Sequence, residues 1–248
     1  MNSFDNVYKQ DYSLLPNLKK LGDEPIFLKN NAFDYLEEKK KAISQYKCFF
    51  EHEINQNIYD IICDFISNQT KIKKSSFEEM AMQLQEDVAI HRIKEEKDWL
   101  AACHVCFPSG WSPEEKIGKN FLEIHSPIPY FNLSNSFSLA KSMVFNGPFV
   151  RYVWAIAFER QIAKHPSIKY PNFNIDNPKI WIKIEKQITY GFKKIQSALF
   201  VIRQEIIEPD NIDYKAFYKT ISGMKKEQLE YKGINSDCFS YIKRMSQK

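Results

Sequence analysis

The residues able to do chemistry are concentrated in one run, "CHVCFPSGWSPEEKIGKNFLEIHSPIP", from Cys103 to Pro129. Cys103 and Cys106 form a C-x-x-C pair with His104 between them, a spacing that can ligate zinc or exchange disulfides. A structural zinc needs four ligands, commonly two such pairs, and the chain has no second C-x-x-C. The pair also lies in an apolar run that reads as a strand, where residues three apart point to opposite faces. Two buried thiols fit that pattern better than a chelate or a redox pair, since no helix begins at the motif.

Of the histidines, His52 falls on an expected helix but Gln56, not His, stands four residues on, so there is no H-E-x-x-H. His91 and His104 fall on expected strands, and His165 precedes Pro166 in a loop. His125 differs: Pro127 and Pro129 fix the backbone just beyond it. A loop histidine is ordinarily structural or solvated. One stiffened in this way beside aromatic residues is a candidate for holding a metal or a haem iron. A haem requires a flat apolar slot, an axial ligand and cations for two propionates. Trp111, Phe121, Tyr130, Phe131, Arg151 and Trp154 are of the right types, though spacing alone does not decide it. Cys106 as a thiolate ligand ranks below His125, because "HVCFPSG" lacks the Gly- and Arg-rich surroundings of a cytochrome P450 cysteine. Ser109 in "PSGW" is not a nucleophile elbow. In "IKIEKQITY", Glu185 and Gln187 form either a charged solvent edge or a polar cluster at a pocket mouth. Arg203 in "FVIRQE" is expected on the same face as Glu185 if the two strands pair antiparallel.

The elements that must position these residues follow from periodicity. The first thirty residues, with Pro16 and Pro25, read as an irregular arm. From Ala32 to about Ser67, apolar residues recur mostly at three, four and seven, a helical pattern. "SSFEEMAMQL" starts a further helix, with Ser76 as N-cap and Glu79 as its capping-box partner. "VAIHRI" and "WLAACHVCF" read as strands across the turn "KEEKD". "SNSFSLAKSMVF" reads as a helix and "FVRYVWAIAF" as a strand. "KIWIKIEKQI" alternates, with Ile180, Ile182 and Ile184 on one face, and "ALFVIRQEII" is another strand. Helices return from Asp213. Strands this close in sequence favour an antiparallel sheet. The expectation is an α+β fold with about five strands, one face packed by helices and the other available to a ligand. Residues 1–84 are expected to pack as an arm and helices on a core of residues 85–248, forming one compact domain overall.

Composition narrows the classes. The chain has 248 residues, 44% hydrophobic and 15% aromatic, enough for a core without disulfides or metals. Its net charge of +4 is scattered, so a nucleic-acid partner is not indicated. No signal peptide and no run of 18 apolar residues are visible. Five cysteines, an odd number, then suggest reduced thiols and a cytoplasmic setting. With seven glycines and neither phosphate-binding glycine motif, nucleotide chemistry of those kinds is not supported.

Four segments together resemble the haem-dependent oxidative N-demethylase-like family: "CFPSGWSPEEKIGKNFLEIHSPIP", "VRYVWAI", "IKIEKQI" with "LFVIRQEI", and "YKG" at Tyr231–Gly233. The resemblance runs from about Gln85 to Gly233. It implies a PAS-like fold that binds haem b and removes a methyl group oxidatively from a small amine. O2 would be the oxidant, and electrons would come from a separate flavin and iron–sulfur reductase. By the same carry-over, His125 is the axial ligand, and Trp111, Lys116, Arg151 and Trp154 lie around the haem or its propionates. Arg203 is counted with this cofactor-binding group, and Glu185 and Gln187 are the candidates for positioning the amine or relaying protons. The sequence departs from the family pattern, with Ile188-Thr189 standing where the family reads Thr-Leu. Val153 replaces an asparagine, Lys186 an arginine, and Gly191-Phe192-Lys193 an Arg-Leu-Pro. Non-catalytic ligand binding and a different nitrogen-containing substrate are the alternatives.

Overall fold

The structure, a computed structural model, describes residues 6–10, 17–28, 34–130 and 135–248. Its centre is a seven-stranded antiparallel sheet in the order β1-β5-β6-β7-β3-β4-β2. The strands are β1 (Lys19–Lys20), β2 (Phe49–Glu51), β3 (Asp87–Lys94), β4 (Lys97–His104), β5 (Phe149–Ala157), β6 (Trp181–Phe192) and β7 (Ser197–Ile207). Around it lie α1 (Tyr35–Gln45), α2 (Gln56–Thr70), α3 (Phe77–Gln83), α4 (Pro113–Lys116), α5 (Phe121–His125), α6 (Ser136–Asn146), α7 (Tyr214–Ser222), α8 (Lys226–Tyr231) and α9 (Ser236–Met245). No described helix is long and apolar enough to cross a membrane.

Each early helix begins where a side chain supplies the missing acceptor. The Asp34 carboxylate accepts the Glu37 N–H, Asn55 caps α2, and Ser76 with Glu79 forms the expected capping box on α3. The apolar sides of α2 and α3 cover one sheet face. There Ile62, Ile66 and Met80 meet Val88, Ile90, Ile188 and Val201. Ile62 and Ile66 are fully buried, each stabilising the fold by about 1.5–3 kcal/mol. Farther along the same face, α7 and α9 bring Phe217, Ile221 and Ile242 onto Trp154, Ile182 and Ile184. This is the packed face.

The opposite face carries α4, α5, α6 and the segment from Cys106 to Ser112. Phe121, Met143 and Val144 close on Ala198, with Phe149 and Phe200 beside them. Helix α6 approaches β6 so closely that a Cβ on Gly191 would run into the carbonyl groups of Val144 and Met143. Only glycine admits that contact.

Several expectations change. Among the described residues the sheet has seven strands rather than five, because the two- and three-residue edge strands β1 and β2 carry no alternation to read. The helical tract from Ala32 is two helices with β2 between them. His52 is not helical: it follows β2, and its N–H donates to the Ala101 carbonyl at 2.7 Å. The strand expected through Phe107 ends at His104, where the Asp87 carboxylate takes the N–H groups of Cys106 (2.9 Å) and Phe107 (2.7 Å). The face expected to be open is partly covered by α4–α6. Phe131 and Pro16 lie outside the described residues, as does part of the arm.

Candidate functional site

Strands β5, β6 and β7 each give alternate residues to the partly covered face. The register pairs Arg151 with Gln187, Val153 with Glu185, and Glu185 with Gln204. These side chains therefore form a row across three strands. Arg151 Nε donates to Gln187 Oε1 at 2.7 Å, and Gln187 Nε2 donates to Glu185 Oε2 at 2.8 Å. The Ser109 hydroxyl donates to Glu185 Oε1. Gln204 Nε2 donates to the Phe107 carbonyl at 2.6 Å and points a second, longer contact of 3.4 Å at Glu185. Lys183 Nζ reaches the Phe107 and Pro108 carbonyls at 3.3 and 3.2 Å. The row thus holds down the "FPSG" segment, which continues to Trp111.

Charge on this row is unbalanced toward the positive. Burial pushes Lys183 down to about 8, against the pull of Glu185 and Asp87. Burial likewise brings Lys232 to about 8, with Glu185 opposing, and lowers Arg151 despite Glu185. Arg151, Lys183 and Lys232 all feel Glu185, and Lys183 feels Asp87 as well. Lys232 comes from the "YKG" segment, which lies along β5: its carbonyl accepts the Ile156 N–H at 3.2 Å, and its Nζ donates to the Trp154 carbonyl at 2.7 Å. Gly233 follows at φ +85°, a left-handed turn beside Ile156 that favours glycine.

His125 ends α5 above the same face. Its ring lies 4.1 Å from that of Phe121, and Nδ1 is 2.8 Å from the Phe121 carbonyl oxygen. A carbonyl only accepts, so Nδ1 carries the proton and the lone pair is on Nε2. Burial holds the imidazole neutral, with a value down to about 3, and the Arg151 charge adds to the effect. Lys116 Nζ donates to the Ile124 carbonyl at 2.9 Å and is lowered by burial. Trp111, Ile117, Ile124 and Phe200 line an apolar cluster with Ala89, Leu100 and Cys103. A neutral imidazole of this tautomer can ligate iron, and the cations nearby can bind carboxylates.

The structure brings together His125, Trp111, Lys116, Arg151, Glu185 and Gln187 on one face. It does not bring Trp154 and Arg203 there. The Trp154 ring is buried on the packed face, 5.3 Å from Phe217. Arg203 pairs with Lys186 in the register, not with Glu185. It sits on the packed face, over the Tyr35 ring at 4.1 Å and 3.3 Å from Glu86. The expectation that Arg203 shares a face with Glu185 was one residue out of register. Ser109, Lys183, Gln204 and Lys232 were missed as members of the row. The charged residues inside an alternating apolar strand were the available signal for Lys183.

Cys103 and Cys106 go to different apolar clusters, and all five cysteines are buried and free. His104 is buried, and that burial lowers it to about 3. Among the described residues no group of three or more His, Cys, Asp or Glu is placed to hold a metal ion. A cleft of about 510 Å³ adjoins the site's rim at Gly110 and Gly233, with His165, Tyr170 and Phe173 in its walls. A second, of about 610 Å³, lies apart beside Tyr46, Cys48 and His104.

The profile of the family described as haem-dependent oxidative N-demethylase, alpha subunit-like, matches residues 43–237. The chain belongs to this family. The match begins some forty residues before the segments that carry the resemblance, and it contains every residue of the polar row. Membership in the haem-dependent oxidative N-demethylase alpha subunit-like family makes the chain a relative of an oxidative, haem-dependent enzyme. No curated protein matches it.

Proposed function

We propose that this chain binds a b-type haem on the partly covered sheet face and oxidises a small amine or related nitrogen compound with O2. His125 Nε2 would hold its iron in this reading. One observation carries it: a half-buried neutral imidazole, its tautomer set by the Phe121 carbonyl, stands over a row in which cations outnumber carboxylates. A lone histidine holds an iron only if another group supplies the remaining ligands, which a porphyrin does. Arg151, Lys116 and Lys232 would supply cations for its propionates, and Trp111, Phe200 and Ile124 would supply apolar walls. The residues therefore fit the group. The fold supports the PAS-like reading too. Numbered among themselves, the five central strands β3–β7 run 2-1-5-4-3, with helices between the second and third.

When bound, a haem supplies the O2 chemistry that no side chain here can perform. The chain's own residues do the rest. Glu185 accepts hydrogen bonds from Ser109 and Gln187 and presents its carboxylate to an amine N–H. Gln187 ties Glu185 to Arg151, fixing its rotamer before substrate arrives. The covering helices α5 and α6 close over the face in part, leaving Arg151, Glu185 and Gln187 half-buried. Electrons come from a separate flavin and iron–sulfur reductase.

A different nitrogen-containing substrate is the second reading, and one position favours it. Among the departures from the family pattern, Val153 lies within the row itself, opposite Glu185. Lys186 is on the packed face with Glu24, and Gly191 faces α6. The amide missing from the site is one a substrate would meet.

The test is to purify the chain with haem supplied and record Soret spectra of wild type and His125→Ala. Wild type is expected to show a ligated haem and the variant a changed or absent Soret band. No haem uptake by wild type overturns the reading, and an identical spectrum in the variant removes His125.

A further inference from the structure

We infer that Asp98, on β4, is the positioning residue for His125. The inference rests on the haem reading above for its consequence, but its geometry stands alone. Asp98 Oδ2 accepts from two groups at once: His91 Nε2 at 2.6 Å and the Phe121 N–H at 2.7 Å. Its side chain is 8% exposed and that of His91 4%. The carbonyl of the same Phe121 then receives the His125 Nδ1–H at 2.8 Å. Asp98 thus holds the first residue of α5, and that residue holds the imidazole.

Helix α5 needs such an anchor. It is five residues long, well below the length at which a helix is stable by itself. Its Asn120–Glu123 capping box satisfies two backbone donors, and Lys116 holds the Ile124 carbonyl. The Phe121 N–H is left to Asp98. The rings stack the same connection: His91 stands edge-on to Phe121 at 6.0 Å, and Phe121 lies against His125 at 4.1 Å. A carboxylate acceptor gives a charge-assisted bond, stronger than a neutral one. It fixes the height and rotation of the imidazole relative to the sheet, and hence the direction of the Nε2 lone pair.

Two readouts test this in wild type, Asp98→Ala, Asp98→Asn and His91→Gln. The first is the His125 tautomer in the haem-free protein by ¹⁵N NMR. The second is the iron–histidine stretching band of the ferrous haem protein by resonance Raman, with haem affinity alongside. Asp98→Ala is expected to mix the tautomers, to shift or broaden the band, and to weaken haem binding about 10- to 100-fold. Asp98→Asn keeps an acceptor oxygen but loses the charge, so a smaller change of the same sign is expected. His91→Gln, which leaves the Asp98–Phe121 bond, should change least. An unaltered tautomer, band and affinity in folded Asp98→Ala overturns the inference. If that variant does not fold, Asp98→Asn decides by the same criterion. Wild type without haem uptake would defeat the functional reading, while the tautomer would still judge Asp98.

Discussion

The two faces of strands β6 and β7 place charges of the same kind in opposite circumstances. On the packed face each cation has its carboxylate. Arg203 lies 3.3 Å from both Glu86 and Glu205, and Lys186 pairs with Glu24. On the other face Arg151, Lys183 and Lys232 share Glu185, and backbone carbonyls take up part of the donor capacity. One residue along a strand separates the two arrangements. Closed ion pairs hold a structure together, whereas a surplus of buried and half-buried cations raises the question of an anionic partner. Residue type alone does not distinguish the two cases; register does.

Substitutions on the two faces should therefore fail differently. Glu185→Gln is expected to lower amine oxidation by on the order of 10²–10⁴-fold, with a smaller effect on folding than a packed-face substitution. Turnover within twofold of wild type would remove Glu185 from the chemistry. Arg203→Ala should do the opposite. It strands Glu86, which is 1% exposed, and should cost about 3–5 kcal/mol in urea unfolding. The haem spectrum of the folded fraction should be unchanged. Arg203→Met with Glu86→Gln should recover much of the loss, because the uncompensated charge is gone. An Arg203→Ala protein of wild-type stability would break the contrast between the faces.

His104 gives a pH test. Its folded value lies near 3, below the ordinary 6.5, because burial disfavours the charged ring. Between those values the unfolded chain binds the extra proton, so stability falls as pH drops from about 6.5 toward 3 and is level above. The loss reaches a few kcal/mol at most, by the usual conversion of pKa shift to free energy. His125 contributes with the same sign. In His104→Gln the fall with acid should be shallower than in wild type. Parallel curves would show that His104 does not titrate on unfolding. Gly191→Ala probes the cover of the site instead. The added methyl forces α6 off β6, at a cost of about 1–3 kcal/mol, and thermal denaturation would register it.

What could be read from the sequence divides along physical lines. The strands β3 to β7 and the Ser76 cap were legible, since alternation and capping are local. His125, Arg151, Glu185 and Gln187 were legible as a group only through the family resemblance. Edge strands β1 and β2 were not, because two or three residues define no period and their pairing is decided by distant partners. Arg203 was placed on the face of Glu185 for want of the pairing, whereas Trp154 entered the group through the family resemblance and lies on the packed face. A strand's alternation shows that its residues divide between two faces, but only pairing shows which residues of the neighbouring strand join them. Ser109, Gln204 and Lys232 entered the row from a loop, a second strand and a distant turn, and no spacing rule connects these.

The smallest expected effect sharpens the comparison most. Val153 and Lys186 both depart from the family pattern, but they lie on opposite faces, Val153 opposite Glu185 and Lys186 opposite Arg203. Val153→Asn returns an amide to the row. If the amide makes one hydrogen bond to an amine substrate or to Glu185, its net worth is about 0.5–1.5 kcal/mol, roughly a three- to tenfold change in kcat/KM for dimethylamine-like substrates. Lys186→Arg keeps the charge that faces Glu24 and changes nothing on the row, so it should leave kcat/KM alone. Assaying both variants with a panel of secondary amines separates the faces directly. Equal responses would mean that the departures act through the whole sheet, whereas a response confined to Val153→Asn assigns substrate choice to the face that carries His125.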